Sequence, residues 1–77
     1  MEKVNSVEEL QAGMVYKFRL RKKMTFNDWI TKEIYNGKKT AELEFVGYNE
    51  DYIICKAQDG RNAVLNRRTI SSVYKKE

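Results

Sequence analysis

The residues with the clearest capacity for chemistry are the adjacent arginines Arg67 and Arg68. Two guanidinium groups on one tight turn can make forked hydrogen bonds to phosphate oxygens, and each can stack on a nucleobase. The alternative interpretation is that they pair with Glu50 or Asp51, or are simply solvated. The pair is therefore a candidate contact for a nucleic-acid backbone.

Further basic and aromatic residues could extend such a surface. Lys22 and Lys23 form a basic doublet, and Tyr48 and Tyr52 flank a polar turn from which they could stack on bases. The alternative is that the lysines only maintain solubility and that the tyrosines pack in the core. We include these side chains in the predicted nucleic-acid-binding site.

The absence of histidine and the presence of one cysteine, Cys55, exclude several kinds of site. Ser-His-Asp and Cys-His catalysis, zinc fingers and disulfide frameworks all need residues that this chain lacks. Cys55 lies in an apolar run, which predicts a small core residue. Glu50 and Asp51 offer too few ligands for calcium. We expect a protein that is not an enzyme and has no metal or cofactor.

Length and charge favour a single binding domain. The 77 residues carry 15 Lys and Arg against 11 Asp and Glu, a net charge of +4. We assign 1–77 to one domain, and the positive charge favours an anionic partner such as RNA or DNA. Neither a long apolar run nor a secretory signal is evident, so we expect no membrane contact and a cytoplasmic location.

The N-terminal part predicts a short helix followed by a strand. Ser6 and Glu9 form the pattern of a capping box, and Gly13 suits the end of a helix, so we expect a helix over 6–12. From Met14 to Arg21 apolar and basic residues alternate, which indicates a strand. Its basic face is Lys17, Arg19 and Arg21; we interpret it as solvated, with Glu42 and Glu44 as cross-strand partners.

The segment 22–39 carries two conflicting patterns. Its β-branched and aromatic residues favour extended structure, and Asn36-Gly37 is a strong hairpin signal. We therefore expect a long connection or an irregular hairpin. The alternative is a helix that begins near Thr25 and ends at Gly37, with one face made of Phe26, Trp29, Ile30 and Ile34.

The C-terminal half predicts strands joined by tight turns. Alternation marks Thr40 to Tyr48, a continuous apolar run marks Tyr52 to Ala57, and a third strand begins at Asn62. Hairpin-linked strands form antiparallel sheets, and a sheet of this size closes to hide its edges. We predict a mainly β fold, a small five-stranded antiparallel barrel with a short N-terminal helix.

Three stretches resemble the Sm-like proteins, including the bacterial Hfq type, within the SH3-like small-barrel class. They are Leu10 to Leu20, Phe45 to Ile54 and Val64 to Val73. In the family, a Tyr-Lys-His triplet faces a central pore and contacts uridine-rich RNA; Asn66, Arg67 and Arg68 take its places here. The resemblance implies an RNA-binding ring joined through edge strands, a homo-oligomer. The connection over 22–39 is longer than the family's and suits a general SH3-like barrel.

Two hypotheses for function follow. The first is a nucleic-acid-binding protein that neutralises phosphates with Arg67, Arg68 and nearby lysines while an aromatic ring stacks on a base. The second is a protein-interaction module or small inhibitor, of the kind encoded by bacteriophages and mobile elements. It would dock through the segment 22–39, with Phe26, Trp29 and Tyr35 as anchors.

Overall fold

A computed structural model describes residues 2–21 and 29–76, apart from the side chain of Trp29. One-turn 3-10 helices occupy Val7–Glu9 and Arg67–Thr69, here the first and second 3-10 turns, and the α-helix α1 is Trp29–Tyr35. The strands are β1 Lys3–Val4, β2 Val15–Leu20, β3 Thr40–Tyr48, β4 Tyr52–Lys56, β5 Asn62–Asn66 and β6 Ile70–Lys75.

The described strands form one open antiparallel sheet in the order β1-β6-β2-β3-β4-β5. Strands β2 to β5 follow one another as a meander, and β6 returns to pair with β2 on its other side. The predicted mainly β, antiparallel architecture is confirmed. The predicted number of five strands is too low, because β1 adds a sixth through pairs with Val73 and Tyr74. A two-residue strand is too short to show alternation.

Alternate side chains of β2 to β5 build the core on one face of the bent sheet. The most completely buried residues include Phe18, Leu43, Cys55, Ala63 and Leu65. Cys55 is thus a small core residue, as its apolar run predicts. The pairing between β3 and β4 shifts between Phe45 and Gly47, a local bulge that bends the sheet around the core.

The segment between β2 and β3 contains the helix α1, which agrees with the helical alternative and not with the irregular hairpin expected for it. In α1, Thr31 and Tyr35 lie one turn apart and are both 1% exposed, so burial of one helix face outweighs the strand preference of individual residues. Asn36 and Gly37 adopt φ angles of 47° and 78°. This left-handed pair ends the helix instead of forming a hairpin turn.

The predicted helix over 6–12 is only the first 3-10 turn, Val7–Glu9. The hydroxyl of Ser6 accepts a hydrogen bond from the Glu8 amide at 3.2 Å, one residue earlier than in a capping box. The Glu9 carboxylate accepts from the Asn5 amide at 3.2 Å. The turn ends at Leu10, and Gly13, with φ +90°, lies in the connection that leads into β2.

Candidate nucleic-acid interface

Arg67 is held by the turn between β3 and β4. Its guanidinium donates to the Asn49 carbonyl at 2.9 Å and to the Glu50 carbonyl at 3.5 Å, and it lies 5.7 Å from the centre of the Tyr48 ring. Its amide donates to the Asp51 carbonyl at 2.8 Å. The expected pairing with this acidic turn exists, but it uses backbone carbonyls in place of carboxylates. Arg67 therefore fastens two turns of the chain together.

Asn66 shapes the second 3-10 turn. Its side-chain oxygen accepts from the Arg68 amide at 2.9 Å, and its backbone carbonyl accepts from the Thr69 hydroxyl at 2.7 Å. Strand β5 ends at Asn66. The Asn66 side chain begins the 3-10 turn by accepting from the Arg68 amide, which has no partner within the turn. Asn66 fixes the direction in which the two arginines leave the turn.

The second 3-10 turn is also joined to the end of β2. The Nε of Arg21 donates to the Arg68 carbonyl at 2.8 Å, and the Arg21 amide donates to the Thr69 carbonyl at 2.8 Å. The first of these bonds connects residues 47 positions apart in the chain. The basic residues of β2 and the second 3-10 turn are far apart in the sequence, and these bonds bring them together.

Four basic residues adjoin at this place: Arg19, Arg21, Lys39 and Arg68, here called the basic end. Lys39 belongs to it through the backbone, since its carbonyl accepts from the Leu20 amide at 2.8 Å. All four side chains are exposed. Among the described residues, no carboxylate lies within ion-pair distance of any of the four. The basic end is therefore a concentration of positive charge that the described part of the chain does not neutralise.

Four acidic residues of the described chain form ion pairs away from the basic end. Ion pairs join Lys75 to Glu2, Lys76 to Glu42, and Arg61 to both Glu33 and Asp59. In the sheet register Arg19 lies between two neutral residues, Thr40 on β3 and Ser72 on β6. The sheet neighbours of Arg19 are thus hydroxyl-bearing and could hydrogen-bond an anion. Thr40 also lines a groove that includes Glu33, Glu42 and Asp59, so carboxylates lie on the same side of the sheet.

The expected cross-strand acidic partners of β2 reach only its first half. Glu42 lies directly opposite Lys17, and Glu44 lies opposite Val15. The Glu42 carboxylate is 3.3 Å from Nζ of Lys76, so its charge is shared. Positive charge along β2 therefore increases from Lys17 towards Arg21.

The two tyrosines predicted to stack on bases lie on different faces of the sheet. Tyr48 is 45% exposed, and its ring contacts Arg67 and lies 6.3 Å from the ring of Phe45. Tyr52 is 43% exposed, precedes the buried Ile53, and pairs with Asn66. Both rings are accessible, but neither belongs to the basic end.

Several predicted residues fall outside this geometry. Lys22, Lys23 and Phe26 are outside the described residues, and Trp29 opens α1 with its side chain undescribed. Tyr35 is in the core, where its hydroxyl donates to the Phe18 carbonyl at 3.1 Å and burial raises its pKa. It is not the exposed anchor expected of it, because it lies on the face of α1 that packs against the sheet.

Arg61 connects α1 to the turn between β4 and β5. Its guanidinium lies 2.8 Å from the carboxylates of both Glu33 and Asp59. The hydrogen bond to Glu33 is the main reason that the pKa of Arg61 is raised. A bond from the Arg61 amide is the main reason that the pKa of Asp59 is lowered. This arginine is therefore occupied within the chain.

Sequence patterns predict only part of the basic end. The alternation over Met14 to Arg21 places Arg19 and Arg21 on one face, but a single strand cannot reveal what lies beside it. The contact with Arg68 is absent from local sequence and depends on the pairing of β2 with β6.

Within residues 2–21 and 29–76, no group of three or more acidic or cysteine side chains could hold a metal ion. No helix in the same ranges combines the length and apolar character needed to cross a bilayer. Comparison with known proteins gives no match: no family model, no curated protein and no solved structure is significantly similar to this chain.

Proposed function

We propose that this chain is a non-enzymatic, cytoplasmic nucleic-acid-binding protein that contacts phosphates through the basic end. The observation that carries the proposal is the gathering of Arg19, Arg21 and Arg68 by strand pairing, without a described carboxylate partner. Lysines and arginines that neutralise phosphates release condensed counterions, which supplies most of the sequence-independent affinity for nucleic acid. Guanidinium groups add forked hydrogen bonds to phosphate oxygens.

The two arginines of the second 3-10 turn, Arg67–Thr69, contribute to this function in different ways. Arg68 belongs to the basic end, whereas Arg67 is bonded to the turn between β3 and β4. Asn66 and Arg67 therefore act as positioning residues that hold Arg68 beside Arg21, and the ligand contacts belong to the neighbouring cations. This assignment keeps the predicted RNA or DNA partner and moves the contact surface towards β2.

The test is a salt titration of binding to a fluorescent oligonucleotide of about ten nucleotides. For single strands, the slope of log K against log salt changes by about 0.7 for each phosphate contact removed. We expect the double variant Arg19→Gln with Arg21→Gln to bind more weakly and to lose about 1.4 from the slope.

A matched control removes the same charge from another place. Lys32 on α1 and Lys56 on β4 are exposed and lie away from the basic end. The double variant Lys32→Gln with Lys56→Gln should keep most of the affinity and slope. Equal losses in the two double variants, or no binding by the parent chain at low salt, would contradict the proposal. Thermal melting shows whether each variant remains folded.

For the fold, we infer a small barrel of the SH3-like class. The inference is supported by the bent antiparallel sheet, the long segment between β2 and β3, and the strand Ile70–Lys75 directly after the second 3-10 turn. The Sm-like resemblance, with its implied ring, remains part of this proposal. A solution structure in which the two ends of the sheet lie far apart would contradict it.

A protein contact is a second candidate function, favoured by a different surface. Val46, Tyr52 and Val64 are each more than 40% exposed, and β5 is the last strand of the sheet, so its outer edge pairs with no described strand. The outward residues of β5 are uncharged, while natural edge strands commonly carry protective charge. We propose that a second copy of the chain pairs here.

Light scattering tests this self-association directly. We expect a mass above the 9.1 kDa of one chain, with Val64→Lys shifting the population towards the monomer. Gln11→Lys, a charge-matched control at an exposed position before β2, should leave the mass unchanged. A monomer at all concentrations would remove this candidate.

A further inference from the structure

Strand β2 and the residue directly after it carry cations at alternate positions. Lys17, Arg19 and Arg21 alternate with the buried residues Phe18 and Leu20. Alternate residues of a strand are about 6.8 Å apart, since each residue advances the chain by about 3.4 Å. This spacing applies to Lys17 and Arg19, and Arg21 follows a shift in the pairing of β2 with β6 between Arg19 and Leu20. This cationic row matches the repeat of a linear polyanion with one charge per extended unit. It begins at the basic end and continues onto the sheet face.

Beside this row lies an aromatic ring, that of Tyr74 on β6. In the register Tyr74 sits directly between Lys17 on β2 and Lys3 on β1. Its hydroxyl accepts a hydrogen bond from the Ser72 hydroxyl at 3.2 Å, two residues back along the same strand. A ring whose hydroxyl reaches along its own strand lies along the sheet surface and does not stand away from it. Tyr74 is half-buried, so part of the ring remains accessible.

Taking the proposed function as its basis, we infer that the ligand is an extended single strand of RNA or DNA. Its phosphates follow Lys17, Arg19 and Arg21 along β2, and one unpaired base stacks on Tyr74. A linear polyanion with aromatic units fits a cationic row beside a flat ring, because stacking is tolerant of base identity and adds to the phosphate contacts. The sequence patterns left Tyr74 unassigned.

A duplex fits this surface less well. The faces of paired bases are covered by their neighbours, so a duplex can use the cationic row but cannot use the ring. Affinity should therefore depend on whether the nucleic acid is single-stranded or duplex, as well as on its charge.

The experiment compares single strands and duplexes of about ten nucleotides on the parent chain and two Tyr74 variants. Tyr74→Phe keeps the ring, and Tyr74→Leu keeps apolar volume in its place. Stacking contributes about 1–3 kcal/mol per base, which corresponds to an affinity change of about 5- to 150-fold. We expect a loss within this range for Tyr74→Leu on single strands, with an unchanged salt slope. Tyr74→Phe should stay within about 3-fold of the parent chain, since it keeps the π-face.

The outcomes separate this inference from the proposed function. A preference for the single strand that Tyr74→Leu abolishes and Tyr74→Phe retains supports the inference. Equal binding of duplex and single strand, with no effect of Tyr74→Leu, would overturn it while leaving the proposed function in place. An absence of binding to both ligands at low salt would overturn both. Parallel titrations with oligouridine and oligothymidine decide between RNA and DNA.

Discussion

The two faces of β2 differ in how their polar groups are satisfied. On the inner side, the carbonyl of Phe18 accepts a hydrogen bond from the buried hydroxyl of Tyr35. On the outer side, Arg19 and Lys17 have no carboxylate within ion-pair distance among the described residues. One strand thus supports the core through one face. Through the other it presents Lys17 opposite Glu42, and Arg19 between two uncharged residues.

The difference teaches which substitutions should report on folding and which on binding. Burial makes an unsatisfied polar group costly, so the inner face must be complete within the chain. An exposed cation is satisfied by water, and it can exchange that water for a phosphate at little cost to the fold. Inner-face variants should change the free energy of unfolding, and outer-face variants should change affinity.

The largest effect on stability is expected at Tyr35. Replacing this 1%-exposed residue by alanine leaves a cavity under α1 and should lower the free energy of unfolding by about 3–5 kcal/mol. Tyr35→Phe removes the hydroxyl bond to Phe18 and should cost about 1 kcal/mol. Urea unfolding followed by circular dichroism measures both. A cost below about 1 kcal/mol for the alanine variant would show that the contact of α1 with the sheet adds little stability.

Alkaline pH should lower the free energy of unfolding through Cys55, whose thiol lies in the core. Burial raises the pKa of the Cys55 thiol from 9.0 to about 12, so the folded state keeps a proton that the unfolded state loses. Stability is therefore complete below about pH 9 and falls as the pH rises towards 12. The decline is about 1.4 kcal/mol per pH unit for this one group.

Urea titrations from neutral pH to about pH 11 test this sign. The variant Cys55→Ala keeps a small side chain and removes the titrating group, so its stability should decline less steeply than that of the parent chain. Parallel declines in the two proteins would show that other groups cause the alkaline loss.

The adjacent residues Arg67 and Arg68 test directly whether internally bonded residues affect stability while exposed cations affect binding. Arg67→Ala removes the bonds to the β3–β4 turn and should cost about 1 kcal/mol of stability. Arg68→Ala should stay within about 0.5 kcal/mol of the parent chain but should weaken oligonucleotide binding more. Melting and anisotropy on the same samples decide the matter. The reverse pattern would exchange the roles of the two residues.

The smallest effect is expected at Arg61. Its contacts with Glu33 and Asp59 are exposed, so Arg61→Ala should lower the melting temperature slightly, and less at high salt. Nucleic-acid binding should change less than in Arg19→Ala, a matched arginine on the outer face. A large, salt-independent destabilisation would show that Arg61 supports α1 by more than ion pairing.

Local sequence predicts the strands better than the connections. The alternation over Thr40 to Tyr48 gives the bounds of β3, and the turns after it are specified by Asn49 and Gly60, which satisfy or bend the backbone locally. The segment 22–39 is different, because Trp29–Tyr35 becomes helical through burial of Thr31 and Tyr35 against the sheet. A preference of individual residues cannot anticipate a surface that only the folded sheet provides.

The candidate site, too, could be predicted only in part from the sequence. Composition indicates an anionic partner, and the alternation of β2 places Arg19 and Arg21 on one face. Only the pairing of β2 with β6 brings Arg68 to Arg21 and places Tyr74 beside Lys17. The pairing of β4 with β5, which sets Asn66 opposite Tyr52, places Arg67 against the turn between β3 and β4.

The sequence by itself therefore determined a small basic β domain, since hydrophobic alternation, turn residues and net charge are properties of neighbouring residues. The tertiary structure decided which cations are bonded internally and which are available. That choice depends on distances between residues far apart in the chain, and strand register, which local patterns leave open, sets those distances.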